Sequence, residues 1–330
     1  MINWLKKPIK IKKSSPFTID LYQAKQLQLL IQSNYPLIDS LLLINKSFTC
    51  YRNKMEEGNS FITLIKDNAN NDFMKHLAFF LTILPLEKAL NKSIELCEFS
   101  KQFKQKLIKQ ASYPCLIFIL AFILLLFFLY FIFPLITFTF VSDQNLLTLL
   151  FYLKVFANLL IILILIVLIN VLLLIVSKVY RYLLMRIFSK IFKVIPMYCS
   201  YYYAYYLQIF MKLQIPTIMM FDYLKQHNYY WLKQIAYKFD SKLKQGKNYL
   251  QLIQKESLFD PLLKQMMNLI IHTSKNELID TYFIQSDFHF QNFFKKAAIV
   301  IQLFTYSFVG IIVLVVFQIF MIPLNMLENF

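Results

Sequence analysis

Three unbroken apolar windows, Tyr113 to Pro134, Val155 to Val176 and Ala298 to Pro323, constrain this chain more than any other feature. Each reaches the roughly 20 residues that a helix needs to cross bilayer hydrocarbon, and none contains Asp, Glu, Lys, Arg or His. A charge at the bilayer centre costs at least a few kcal/mol, so windows without one read as lipid-exposed helices and speak against a proton or ion path. Hydrophobic residues make up 58% of the chain, above the roughly 45–50% of soluble domains, while the 16% that are charged crowd into the remaining segments.

The basic residues orient the spans, because Lys and Arg near span ends stay on the cytoplasmic side. Of 35 Lys and Arg, 17 fall in residues 1–112 and 17 in 178–297; Lys154 is the remaining one. The expected topology is a basic N-terminal tail (1–16), a cytoplasmic helical domain (17–112), a first span (113–134) and a short external loop (135–154). A second span (155–176), a second cytoplasmic helical domain (177–297), a third span (298–323) and an external C-terminal tail (324–330) follow. The net charge of +17 is then mostly topology, and direct nucleic-acid binding is not expected. Lys6, Lys7, Lys10, Lys12 and Lys13, and the run Lys178, Arg181, Arg186, Lys190 and Lys193, suit anionic lipid headgroups instead. Arg186, Lys190 and Lys193 are expected on one face of an interfacial helix. The N-terminus lacks the continuous apolar region of a signal peptide, and Cys50, Cys97, Cys115 and Cys199 are expected as thiols.

Apolar residues at three- and four-residue spacing predict helices throughout both cytoplasmic segments. The stripes are Leu37, Leu41, Ile44 and Phe48, then Leu96, Phe99, Phe103 and Leu107. The second segment has Leu232, Ile235, Phe239 and Leu243, then Leu262, Met266, Leu269 and Ile270. An internal repeat links the segments. Met55-Glu-Glu-Gly-Asn-Ser-Phe-Ile-Thr-Leu-Ile65 matches Leu243-Lys-Gln-Gly-Lys-Asn-Tyr-Leu-Gln-Leu-Ile253 in its glycine and every apolar position. Pro36 matches Pro216 upstream, and Pro134 matches Pro323 downstream. The whole chain has only three glycines, and two of them, Gly58 and Gly246, fall in register. Each is expected at a positive-φ turn or helix junction. The predicted fold is therefore an all-α membrane protein, three transmembrane helices carrying two homologous cytoplasmic helical bundles in tandem.

Chemistry is sparse. Three glycines cannot build a phosphate-cradling loop, and His76, His227, His272 and His289 begin no metal motif. No catalytic, cofactor or metal site is expected, and the chain does not read as an enzyme. Asn158, Asn170, Gln302 and Gln318 are the amides within the spans, available for interhelical hydrogen bonds. Pro114 is expected to open the first span's helix, where the missing N–H is harmless, with Pro134 and Pro323 closing theirs. Glu56, Glu57, Asp67 and Asp72 are candidate ion-pair partners for another protein. Tyr201, Tyr202 and Tyr205, within a tyrosine-rich stretch, read either as helical core or as a docking surface.

In this arrangement the chain resembles the type II secretion system F family, the inner-membrane platform proteins of type II secretion, type IV pili and competence pseudopili. The residues that carry the resemblance are Ala111-Ser-Tyr113-Pro114 and Phe133-Pro134 around the first span, Gly246 before an apolar run, Leu258-Phe259-Asp-Pro261, and Ile322-Pro323. The resemblance implies a platform without chemistry of its own. Its partners would be a cytoplasmic hexameric assembly ATPase, the transmembrane helices of pilins or pseudopilins, anionic membrane lipid and further copies of itself, and its role would include DNA uptake. Where the family carries Gly-Glu-x-x-Gly, this chain has His272, Thr273 and Asn276. Thr273 cannot replace a carboxylate, whereas Asn276 can adopt a left-handed turn. A small membrane transporter or channel component is the alternative function, and it would require polar groups lining a path.

Overall fold

A computed structural model describes residues 18–45, 48–58, 60–132, 134–135, 144–273 and 275–327. They form fourteen α-helices and one π-helical turn, with no strand among the described residues. Helices α1 (Leu21–Gln32), α2 (Leu37–Ile44), α3 (Thr49–Glu56), α4 (Phe61–Asp67) and α5 (Asp72–Phe80) are short, and α6 (Leu86–Phe127) is long, continuing into the π turn Phe128–Ile132. Helices α7 (Gln144–Val176) and α8 (Lys178–Phe188) come next. A second series of short helices then leads to a long one: α9 (Val194–Lys212), α10 (Thr217–Lys225), α11 (Tyr230–Lys244), α12 (Tyr249–Lys255), α13 (Pro261–Thr273) and α14 (Leu278–Leu327).

Local chemistry sets the boundaries. Asp20 and Gln23 form a reciprocal capping box at the start of α1, at 2.8 and 3.0 Å, which satisfies two of the orphan donors that every helix start leaves. Ser60, Asn71, Ser177 and Asn248 cap α4, α5, α8 and α12 through side-chain oxygens. Pro36 and Pro216 precede α2 and α10 with φ of −57° and −58°, the angle their rings impose.

The chain divides into two compact units, Met1–Gln102 with Gln214–Lys247, and Phe103–Leu213 with Asn248–Phe330. This division departs from the sequence boundary that keeps 177–297 together: α10 and α11 belong to the first unit. In that unit α5 buries Met74, Leu77 and Phe80 completely, and α11 does the same with Leu232, Ile235 and Phe239. Each such side chain contributes about 1.5–3 kcal/mol relative to exposure. Phe221 of α10 meets Phe239 edge-on at 6.0 Å, and Asp240 of α11 accepts from Lys225 of α10 at 2.8 Å.

In the second unit, Phe103 of α6 packs on Tyr198 of α9 and on Phe290 and Phe294 of α14, with ring centroids 5.2–5.3 Å apart. Further along, Phe122, Leu125, Phe128 and Leu129 form a buried apolar cluster with Phe308 and Ile312 of α14, and Ile161 of α7 packs against it. Outside this seam the helices present apolar side chains outward, among them Leu116, Ile119, Leu303 and Leu314 at 56–67% exposure. Two helical stretches among the described residues, Leu86–Ile132 and Leu278–Leu314, are long and apolar enough to cross a membrane. Only 22% and 17% of their most apolar windows are buried, whereas the core helix of a soluble domain would be mostly enclosed.

Candidate functional site

The apolar helices are longer than the windows that announce them. At 1.5 Å per residue, the 42 residues of α6 rise about 63 Å, twice the roughly 30 Å of hydrocarbon. Tyr113 and Pro114 therefore stand inside one continuous helix, with Tyr113 exposed. The expectation that Pro114 opens a helix is overturned. The polar segment before it is itself helical and anchored by buried Leu96 and Phe103, so the chain continues through the proline. An interior proline leaves the carbonyl one turn back without its N–H, a defect that apolar helices tolerate when neighbours compensate. Pro134 follows the π turn Phe128–Ile132. The backbone of α14 stays helical to Leu327, so Pro323 does not end that helix either.

At the π turn, the Tyr130 hydroxyl donates to Asn158 Oδ1 of α7 at 2.8 Å. An interhelical hydrogen bond of this kind contributes roughly 0.5–1.5 kcal/mol net. Asn170 instead accepts from Tyr180 of α8 at 2.6 Å and donates to the Ile166 carbonyl; Gln302 is exposed. The guanidinium of Arg181 donates twice to the Leu174 carbonyl near the end of α7. Helix α8 ends at Phe188 and a turn follows, so Arg186, Lys190 and Lys193 do not share one helical face as expected. Lys6, Lys7, Lys10, Lys12 and Lys13 lie outside the described residues.

The tyrosine stretch is core. Tyr202 is 1% and Tyr205 6% exposed, which rules out the docking-surface reading for those two rings. Tyr201, half-buried, packs on Phe283 at 5.1 Å. The Tyr203 and Tyr249 hydroxyls share a hydrogen bond of 2.7 Å, while the Tyr203 ring lies 4.5 Å from that of Phe259. Phe259 itself is buried at 2%. Tyrosine suits this role because a buried ring needs one partner for its hydroxyl and gains the packing of a large apolar body.

Phe259 lies in the short connection between α12 and α13, where two acids are buried: Glu256 at 1% and Asp260 at 6% exposure. Asp260 caps α13, its carboxylate accepting from the Leu263 N–H at 2.9 Å, while its own N–H donates to Ser200 Oγ at 2.7 Å. Burial pushes the Asp260 carboxyl above its ordinary range, against the hydrogen bonds from Leu263 and Ser200. Past α13, Asn276 is not among the positive-φ residues; its carbonyl accepts from the Ile279 N–H instead, within the turn that starts α14. The stripe on α13 is Leu263, Met266, Met267 and Ile270, and Leu269, assigned to it from the sequence, is 46% exposed.

Among the described residues the positive-φ positions are Asn34 (61°), Gly58 (96°), Gln214 (53°) and Gly246 (79°). The first and third each sit two residues before a proline that starts a helix; the second and fourth follow α3 and α11. The expected glycine turns are observed, and a Cβ at either glycine would meet nothing within 4 Å. Glycine is therefore needed there for its backbone freedom alone.

Of the candidate acids, Glu57 and Asp67 are exposed on the first unit, and Asp72 lies 3.5 Å from Lys75. The Glu56 side chain is outside the described residues. Sequence reasoning did not see that His76 and His227 come together. Their rings, 6.1 Å apart, pack with Tyr229 inside the first unit. The Tyr229 N–H donates to His227 Nδ1 at 2.9 Å, and the Tyr229 hydroxyl lies 3.3 Å from His76 Nε2. Burial lowers the His76 pKa to about 3, opposed by Asp72 and reinforced by Lys75; burial and the neighbouring His76 hold His227 well below its ordinary value. Both rings are thus neutral packing elements at neutral pH. The signal was present in the apolar neighbours of His76, but nothing local pairs residues 151 positions apart.

The described geometry offers helix surfaces, a seam of apolar helices and capped junctions, and among the described residues no three His, Cys, Asp or Glu side chains converge as a metal ion would require. No protein-family model, no curated protein and no solved structure matches the chain.

Proposed function

We propose that this chain is a membrane platform protein of the type II secretion F kind. Three spans would carry two homologous cytoplasmic helical domains, with the N-terminus cytoplasmic and the C-terminus external. Its cytoplasmic helices receive motion from a hexameric assembly ATPase, and its apolar helices offer a packing surface to the transmembrane helices of pilin-like subunits. The product is a pilus-like competence pseudopilus, used for DNA uptake, or a secretion apparatus.

The observation that carries this reading is the recurrence of one helix series. Helices α1 to α6 and α9 to α14 follow the same order of five short elements and one long one. The four left-handed residues fall at matching places in the two series, Asn34 with Gln214 and Gly58 with Gly246. Chance similarity of Leu- and Ile-rich sequence does not place backbone angles in register. Helix α7 supports a third span through 33 helical residues and through Ile161 in the apolar seam.

A clean deletion tests the proposal. It abolishes pseudopilus assembly and transformation while the ATPase remains expressed; surface filaments in the deletion strain refute it. Pull-down of the full chain in mild detergent recovers the ATPase and pilin subunits.

A further inference from the structure

A groove of about 430 Å³ opens on the second unit beside the α12–α13 junction. Its wall is apolar, formed by Pro196, Phe259 and Pro261, and its polar lining includes Lys193, His289 and Ser257. Three features say what kind of molecule it accommodates. Lys193 and His289 are exposed, and the Lys193 ammonium has no ion pair or hydrogen bond among the described residues. Ser257 Oγ is buried and has no hydrogen-bond partner in the protein, which buried hydroxyls rarely lack. Immediately before Lys193, the large side chains Ile187, Phe188, Ile191 and Phe192 are 38–67% exposed, a run of apolar surface that water does not favour and an interfacial segment buries in acyl chains.

The second side of the groove has the same relation to the bilayer. His289 lies nine residues before Ala298, about 13 Å of helix rise, on the polar side of the apolar stretch of α14. The Lys193 ammonium and the His289 imidazole therefore line a pocket whose approach is apolar, at the level where a phospholipid carries its phosphate. Asp260 also lines the groove. Its carboxylate is turned to the Leu263 N–H, and burial favours its neutral form, so it opposes an anion less than an exposed carboxylate would.

We infer that this groove binds the phosphate headgroup of an anionic phospholipid, with Lys193 and His289 on the phosphate, Ser257 donating to it, and Pro196, Phe259 and Pro261 against the glycerol and first methylenes. The inference rests on the membrane reading above. Lipid held there fixes the start of α9, the buried helix of the second unit, at a set depth in the bilayer.

The test uses the full chain in detergent, with native mass spectrometry of lipid retained from phosphatidylglycerol and from phosphatidylcholine. The wild type prefers phosphatidylglycerol by roughly tenfold, the scale expected from one or two near-surface basic groups. Lys193→Gln with His289→Gln reduces the preference to about twofold or less. Lys295→Gln with Lys296→Gln, which removes charge near the same apolar stretch but not from the groove, leaves it in place. Equal retention of both lipids by the wild type, or equal loss in both double variants, overturns the groove as a site. Displacement of phosphatidylglycerol by millimolar inorganic phosphate overturns the lipid as its occupant. Carbonate extraction is the separate arm: a chain released from membranes defeats the membrane reading itself, whereas a retained chain without lipid preference defeats only the groove.

Discussion

The α4–α5 and α12–α13 junctions have matching positions and opposite chemistry. In the first unit both junction residues are amides. Asn68 donates to the Leu64 carbonyl at 2.8 Å, and Asn71 caps α5 while donating to the Ile19 carbonyl at 2.7 Å. In the second unit the corresponding residues are buried acids, Glu256 and Asp260, and the tie to α9 is made by backbone instead of side chain: the Asp260 N–H donates to Ser200 Oγ. One backbone task, closing a helix and starting another, is met once with neutral groups that donate and accept and once with groups that only accept when ionised. The two units should therefore answer pH and mutation differently.

The largest expected difference comes from acidification. His76 and His227 have folded pKa values below their unfolded ones, so the stability they contribute is complete above about pH 6.5 and is lost as pH falls below it, toward about 3 for His76. Each histidine contributes a slope of up to roughly 1.4 kcal/mol per pH unit in that window. Asp260 has the opposite sign: its pKa is raised on folding, so lowering the pH relieves the cost of burying its charge. Hydrogen exchange of the full chain in detergent between pH 7.5 and 5, corrected for intrinsic rates, should show protection falling in α5 and α11 before α12 and α13. Simultaneous loss in both units would mean that the histidine pair does not control the first.

Next in size is the cap itself. Asp260→Ala strands the Leu263 N–H in a buried junction and should cost about 2–3 kcal/mol, a lost cap together with an unsatisfied donor. Asp260→Asn keeps the acceptor and removes a buried charge, so its cost stays below about 1 kcal/mol at pH 7. The reciprocal change is harsher, because Asn71→Asp loses the donor to the Ile19 carbonyl and should cost about 1–2 kcal/mol. Thermal unfolding of the three variants at pH 7 and pH 5 measures the asymmetry. Equal costs for Asp260→Asn and Asn71→Asp would mean that the acids and amides are interchangeable.

How far such features were legible depends on the range of the interaction behind them. Apolar length and charge exclusion are local sums, so 113–134 and 298–323 were readable: the first begins inside α6 and takes in the π turn, and the second lies within α14. The glycine turns were readable because two of three glycines recur in one pattern. Pro114 misled because the rule for helix starts competes with a helix already propagating from Leu86, and propagation needs no new nucleus. Leu269 misled because a stripe can be drawn through Met266 and Ile270 by either of two neighbouring residues, and only packing chooses Met267. The tyrosine-rich stretch left two readings open until burial decided for core. The histidine pair and the placement of α10 and α11 in the first unit depend on contacts across more than a hundred residues, which no periodicity records. The groove at Lys193 combines three distant segments for the same reason.

The smallest effects concern the glycines, and they bear most directly on whether two matched series exist. Gly58 and Gly246 have φ of 96° and 79°, with open space where a Cβ would go. Alanine at either site therefore meets no clash, and its penalty is the left-handed backbone alone, about 1–2 kcal/mol. Gly310 has no positive φ and lies inside α14, where alanine should be neutral or stabilising by up to about 1 kcal/mol. If the turns after α3 and α11 are one device used twice, Gly58→Ala and Gly246→Ala lower the unfolding midpoint by similar amounts, and Gly58→Asn and Gly246→Asn restore much of the loss, since asparagine tolerates that conformation. A cost confined to one site would break the correspondence on which the tandem reading depends, because equal backbone demand is what register predicts and shared composition does not.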